Sequence, residues 1–77
     1  NRCDLRGMTV DEALFTLDSF IDQMLLRNIS EFTVIHGKGT GVLREEIQKY
    51  LRSLPGISAR DEDIRQGGTG VTIVTID

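Results

Sequence analysis

The 77-residue chain has one cysteine, one proline, one histidine and no tryptophan, and its aromatic side chains are three Phe and one Tyr. With a single thiol, Cys3, no internal disulfide can form, and one cysteine with one histidine cannot build a structural zinc site. No apolar run approaches the ~20 residues of a membrane span or resembles the apolar stretch of a signal peptide. A reducing cytoplasm is therefore the expected compartment, and no membrane partner is expected. The scarcity of rings for base stacking speaks against sequence reading of single strands. Positive charge is not in excess either: Lys and Arg number 9 against 12 Asp and Glu, a net charge of −3, so no global basic field holds nucleic acid by counterion release. One domain, 1–77, accounts for the length, with a small core, because a chain of this size buries only about 60% of its unfolded surface. The chain opens on Asn1 and enters a strand-like segment almost at once, so it is expected to be a segment of a longer protein.

What the chain does have is glycine in a pattern. His36-Gly37-Lys38-Gly39-Thr40-Gly41 follows the apolar run Phe32-Thr33-Val34-Ile35 and precedes an amphipathic helix. Alternate glycines let the backbone turn sharply and let a ligand approach the main chain, and N–H groups at the start of a helix attract anions. His36 and Lys38 add a titratable donor and a fixed charge, so phosphate is the natural ligand. The spacing is neither the dinucleotide fingerprint nor a P-loop, and no ATP site is expected.

Cys3–Arg6 reads as a strand closed by Gly7, and Thr9 with Glu12 as a capping box. Val10, Ala13, Leu14, Leu17, Ile21, Met24 and Leu25 recur at helical steps, widened by Phe20, until Arg27-Asn28 offers a stop; the opposite face carries Asp11, Glu12, Asp18 and Asp22. Glu31–Ile35 alternates as a strand. A second helix runs from about Gly41 to Leu54 with Thr40 as N-cap, its inner face made by Leu43, Ile47, Tyr50, Leu51 and Leu54, and Pro55-Gly56 ends it. A third strand is expected from about Ile57 to Ile64. The turn Gly67-Gly68-Thr69-Gly70 then leads to Val71–Ile76, β-branched on both faces and so expected in the sheet interior. The order βαβαββ makes the first three strands parallel, which brings Arg6-Gly7, the His36–Gly41 loop and the Gln66–Gly70 turn to one sheet edge.

With these pieces in place, the chain resembles the Smr (small MutS-related) domain along essentially its whole length. Asp4-Leu5-Arg6-Gly7 is similar to the family's opening Leu-Asp-Leu-Arg/His-Gly motif, His36–Gly41 to its His-Gly-x-Gly-Thr-Gly loop, and Gly67-Gly68-Thr69-Gly70-Val71-Thr72 to its final glycine-rich hairpin. Cys3 replaces the usual Leu, a change compatible with packing. The arginine form of the first motif resembles the C-terminal domain of a bacterial MutS paralogue linked with recombination control. The resemblance implies a two-layer α/β fold: a four-stranded mixed sheet of order 1-2-4-3 with two helices on one face, similar to the C-terminal domain of translation initiation factor three. Family members are associated with nicking of DNA, cleavage of RNA and action on stalled ribosomes. The resemblance thus implies an endonuclease domain acting on structured or branched DNA within a larger MutS-like ATPase that is dimeric through other domains, with RNA or the ribosome as further partners. The alternative is a non-catalytic DNA- or ribosomal-RNA-binding module that positions the parent protein.

The site residues follow from both readings. Asp4, Arg6 and His36 are the catalytic candidates: Asp4 and Arg6 share one strand face, and in RNA-cleaving relatives the aspartate matching Asp4 is implicated in cleavage. Nucleic-acid contacts are expected from Arg6, His36, Gly37, Lys38, Gly39, Thr40, Gly41, Arg44, Gly68 and Gly70. The structural alternatives are a strand-end histidine bonding its own loop, an Asp4–Arg6 ion pair, and a solvated Arg44. Asp61-Glu62-Asp63 can hold a hard cation, but consecutive acids in a strand point to alternate faces and are usually solvated. No cofactor is required; carboxylates are too sparse for a two-metal nuclease, which leaves a metal-independent or single-divalent-metal route.

Overall fold

A computed structural model describes residues 1–62 and 70–77. Six elements follow one another: β1 (Arg2–Asp4), α1 (Val10–Leu26), β2 (Glu31–Ile35), α2 (Val42–Ser53), β3 (Ile57–Asp61) and β4 (Val71–Ile76). The sheet order is β1-β2-β4-β3. β1 pairs parallel to β2, and β4 runs antiparallel to both β2 and β3. β1, β2 and β3 therefore point the same way, and β4 takes the interior position that its two-sided β-branching requires. Both helical crossovers step in the same direction across the sheet, so the right-handed rule for parallel connections puts both helices on one face.

Strand alternation sorts the side chains between a covered and an open face. Cys3, Leu5, Phe32, Val34 and Val74 join Ala13, Leu17, Ile21, Met24, Ile47 and Leu51 in one core between sheet and helices. Phe20 packs on Phe32 with ring centroids 5.0 Å apart at 58°, a tilted aromatic pair. The open face carries Asp4, Thr33, Ile35, Val71, Ile73 and Arg60. Burial pushes the Cys3 thiol up to about 11, with the Asp4 charge adding to it, so Cys3 is an inert packing group.

Helix α1 starts as its sequence dictates. Thr9 accepts the Glu12 N–H at 3.2 Å, and the Glu12 carboxylate accepts the Thr9 N–H at 2.8 Å, which completes the capping box. It stops where Asn28 takes φ 56°, a left-handed conformation that asparagine tolerates. Tyr50 on α2 donates to Asp18 on α1 at 2.6 Å, and this acceptor carboxylate raises the phenol to about 12. Among the described residues no helix is long and apolar enough to cross a membrane.

Several boundaries differ from the pattern. The first strand is Arg2–Asp4 instead of Cys3–Arg6, although the Leu5 N–H still bonds the Ile35 carbonyl at 2.7 Å. Leu25 belongs outside the inner stripe of α1, with 52% exposure, because the stripe narrows to Ala13, Leu17, Ile21 and Met24. The N-cap of α2 is Gly41, not Thr40. Gly41 adopts φ 87°, and the Thr40 hydroxyl reaches only the Val42 N–H, at a long 3.4 Å. β3 ends at Asp61; Asp63, Ile64 and the Gly67-Gly68-Thr69 part of the expected turn lie outside the described residues.

Candidate nucleic-acid interface

Parallel strand direction places the end of β1, the loop after β2, the end of β3 and the start of β4 on one edge. The His36 and Gly37 N–H groups both donate to the Gly70 carbonyl, at 3.2 and 3.0 Å. A Cβ at Gly70 would stand 3.3 Å from the Lys38 Cγ, tight enough that the lysine stem would have to shift slightly, and 3.5 Å from the Gly37 carbonyl carbon, an ordinary contact. Gly37, Gly39 and Gly41 all have positive φ, at 80°, 38° and 87°. The Arg6 stem packs beside Gly37, its Cγ 3.5 Å from where a Cβ would stand, an ordinary contact, so it is the positive φ and not crowding that calls for glycine there. The loop thus wraps between the start of β4 and the Arg6 stem.

Asp4 and Arg6 form a bidentate pair on the open face: Arg6 Nε donates to Asp4 Oδ1 at 3.0 Å and Nη2 to Oδ2 at 2.7 Å. The Arg6 backbone N–H adds a third bond to Oδ1 at 3.1 Å. Both side chains are largely exposed, Arg6 at 63% and Asp4 at 48%. Those bonds to Arg6 lower the Asp4 carboxyl from 3.8 to about 2. Because the folded value lies below the unfolded one, the pair's stabilisation is present above about pH 4 and lost as the pH falls through about 2. A carboxyl ¹³C titration is expected to give an Asp4 midpoint near 2, and Arg6→Ala to return it to about 4. A wild-type midpoint near 4 would show that the pair does not persist in solution.

His36 faces the other way. It is 5% exposed, on the helix-covered side of the sheet, and both ring nitrogens are engaged: Nδ1 with the Gly37 carbonyl at 3.0 Å and Nε2 with the Thr72 hydroxyl at 2.8 Å. His36 and Asp4 therefore share the edge without facing one another across it. Behind His36, the Gln48 amide donates to the Thr72 hydroxyl at 3.1 Å and to Asp61 Oδ1 at 2.9 Å. Asp61 receives the Arg44 guanidinium at 3.1 and 2.6 Å. Arg44 is thus an anchored charge with 28% of its side chain exposed, and its pairing lowers the Asp61 carboxyl, Gln48 adding to the effect. Lys38, Gly39 and Thr40 are exposed.

The structure brings Asp4, Arg6, His36, the Gly37–Gly41 loop and Gly70 to one edge, and Arg44 to its α2 side; Gly68 lies outside the described residues. Sequence reasoning missed Gln48 and Thr72, respectively 4% and 0% exposed, and treated Asp61 as a solvated acid. A polar Gln48 one residue after the inward Ile47 was the available signal, but only the fold places it against Asp61 and Thr72. Among the described residues, no three His, Cys, Asp or Glu side chains cluster at metal-binding spacing.

The chain is 46% identical over 74 residues to Endonuclease MutS2 of Clostridium botulinum, covering 95% of this chain and 9% of that protein. It is 45% identical over 82 residues to Endonuclease MutS2 of Streptococcus suis, covering 96% of this chain and 10% of that protein. The chain thus spans about a tenth of the length of these relatives. The crystal structure of the Smr domain of Thermus thermophilus MutS2 superposes with a TM-score of 0.95 at 38% identity, over 100% of this chain and 98% of that one. YdaL, a stand-alone small MutS-related protein from Escherichia coli, shares the fold, with a TM-score of 0.88 at 23% identity over 97% of this chain and 63% of that one. The Smr domain family matches residues 3–77, and with these likenesses over nearly its whole length the chain belongs to that family.

Proposed function

We propose that this domain is a nucleic-acid endonuclease module that nicks phosphodiester bonds of structured or branched DNA as part of a larger MutS-like ATPase in a reducing cytoplasm. The observation that carries the reading is the meeting of the Asp4–Arg6 pair and the glycine loop at one edge, with the Arg6 stem against Gly37. A guanidinium has five N–H donors, and Asp4 takes two of the side-chain ones, leaving three to grip phosphate oxygens. Lys38 supplies an exposed cation beside them, and the loop N–H groups supply fixed dipoles aimed at developing charge. Backbone geometry, not base identity, is what such a site reads. The names of the MutS2 relatives support the same polymer chemistry.

In this reading Arg6 is the catalytic contact and Asp4 its positioning partner. A carboxyl held at about 2 is a weak proton acceptor at neutral pH, far from the matched value that general-base catalysis favours. The buried His36 keeps the loop in shape. A single divalent ion, where bound, would be held by Asp4 in competition with Arg6 for its two oxygens and would supply a polarised water there; no ATP is used by this domain. That neither Asp4 nor His36 is a ready base favours a second reading: a non-catalytic module that binds DNA or ribosomal RNA for its parent.

Nicking of supercoiled plasmid and cleavage of structured RNA, each with and without chelator, separate the readings. The expected result is nicking that co-purifies with the domain and is at least tenfold weaker in Lys38→Ala, in line with losing one charged phosphate contact. Tight binding without cleavage in wild type would establish the module instead, and cleavage confined to RNA would replace the substrate.

A further inference from the structure

A polar chain runs behind the loop from Arg44 through Asp61, Gln48 and Thr72 to His36, and with a neutral imidazole each of its bonds has a fixed sense. The Gly37 carbonyl can only accept, so His36 Nδ1 carries the proton, and in the neutral ring Nε2 is an acceptor. The Thr72 hydroxyl must then donate to Nε2, which leaves its oxygen to accept from the Gln48 amide. The second amide proton goes to Asp61, which is in turn fixed by Arg44. No buried side-chain nitrogen or oxygen among the described residues lacks a partner.

The consequence appears at the loop surface. The Gly37–Lys38 peptide is trans, so its carbonyl and N–H point in opposite directions. With the carbonyl drawn toward the buried imidazole, the Lys38 N–H is directed away from that ring, in a residue that is itself exposed. Among the described residues that N–H has no backbone acceptor, whereas the Gly37 N–H is committed to Gly70. A flip of this one peptide would replace an outward donor with an outward carbonyl, which repels an anion.

We propose that Gln48 and Thr72 are positioning residues that act through His36 to hold the Gly37–Lys38 peptide with its N–H presented to a phosphodiester oxygen. The proposal rests on the reading of the loop as a phosphodiester site and deepens it: affinity at the surface depends on two buried side chains that never touch the ligand. It also explains why a histidine beside a phosphate loop has neither nitrogen free.

Two measurements on the ¹⁵N-labelled chain test it. The single histidine gives one pair of ring nitrogen signals, and those of its neutral ring are expected to show Nδ1 protonated and Nε2 bare. A ring dominated by Nε2–H overturns the relay whatever the loop binds. Titration with inorganic phosphate and with a short DNA duplex is then followed at the Lys38 amide. Wild type and Thr72→Ser, which keeps the hydroxyl, are expected to respond alike. Thr72→Val and Gln48→Leu are expected to bind about tenfold more weakly with the Lys38 response lost. Wild-type binding through the Lys38 amide in both apolar variants overturns the positioning role and leaves the phosphodiester site standing. A silent wild-type Lys38 amide beside the expected tautomer overturns that site and, with it, this use of the relay.

Discussion

Replacing Arg6 by alanine is expected to lower plasmid nicking by about 10²-fold, the size of effect seen when one preorganised donor to transition-state charge is removed. Arg6→Lys is expected to recover little of that loss. A lysine ammonium has no planar fork to bridge Asp4 through Nε and Nη2 while presenting further donors outward. Asp4→Asn isolates the positioning part: the amide still accepts from Nε but offers one oxygen where Arg6 now uses two, and the guanidinium is no longer fixed above Gly37. Its loss is expected to be smaller and to fall mainly on kcat. Single-turnover nicking at saturating enzyme separates that from weaker binding. Full activity in Arg6→Ala would remove the guanidinium from the reaction and leave the glycine loop as a binding surface only.

The fold was legible because each element carries its own punctuation. Thr9 and Glu12 start α1 in both sequence and structure, Asn28 stops it in the left-handed conformation, and the β-branching of Val71–Ile76 on both faces gives away an interior strand. Parallel direction, which follows from helical crossovers, was enough to gather Arg6, His36 and Gly70 at one edge. Orientation within that edge was less accessible. Alternation does place His36 in step with the buried Phe32 and Val34, and Asp4 out of step with the buried Cys3 and Leu5, so the two were bound for opposite faces. Gln48, Thr72 and Asp61 could not be joined from sequence, because they lie on α2, β4 and β3 and meet only after the strand order 1-2-4-3 is set. The cap of α2 was missed for a local reason: Gly41 at positive φ turns the chain into the helix, which leaves Thr40 outside it.

With both helices on one face, the core is a single layer of contacts, and its centre tolerates truncation poorly. Leu17→Ala is expected to destabilise the domain by about 2–5 kcal/mol, combining lost transfer energy with the cavity left behind. Leu17 is fully buried in the cluster that includes Leu5, Val34, Ile47 and Leu51, so no solvent can fill the space and both layers lose contacts. Small domains have total stabilities of about 5–15 kcal/mol, so this one change removes a large part of the margin. Phe15, two residues earlier, is the internal control: it is 77% exposed on the outer side of the same helix, and Phe15→Ala is expected to shift stability by no more than about 0.5 kcal/mol. Urea unfolding followed by circular dichroism reads both. Equal effects at the two positions would mean that α1 does not present the Ala13, Leu17, Ile21 and Met24 stripe to the sheet; the edge carrying Arg6 and the glycine loop, held together by that packing, would then have to be rebuilt from a different layer arrangement.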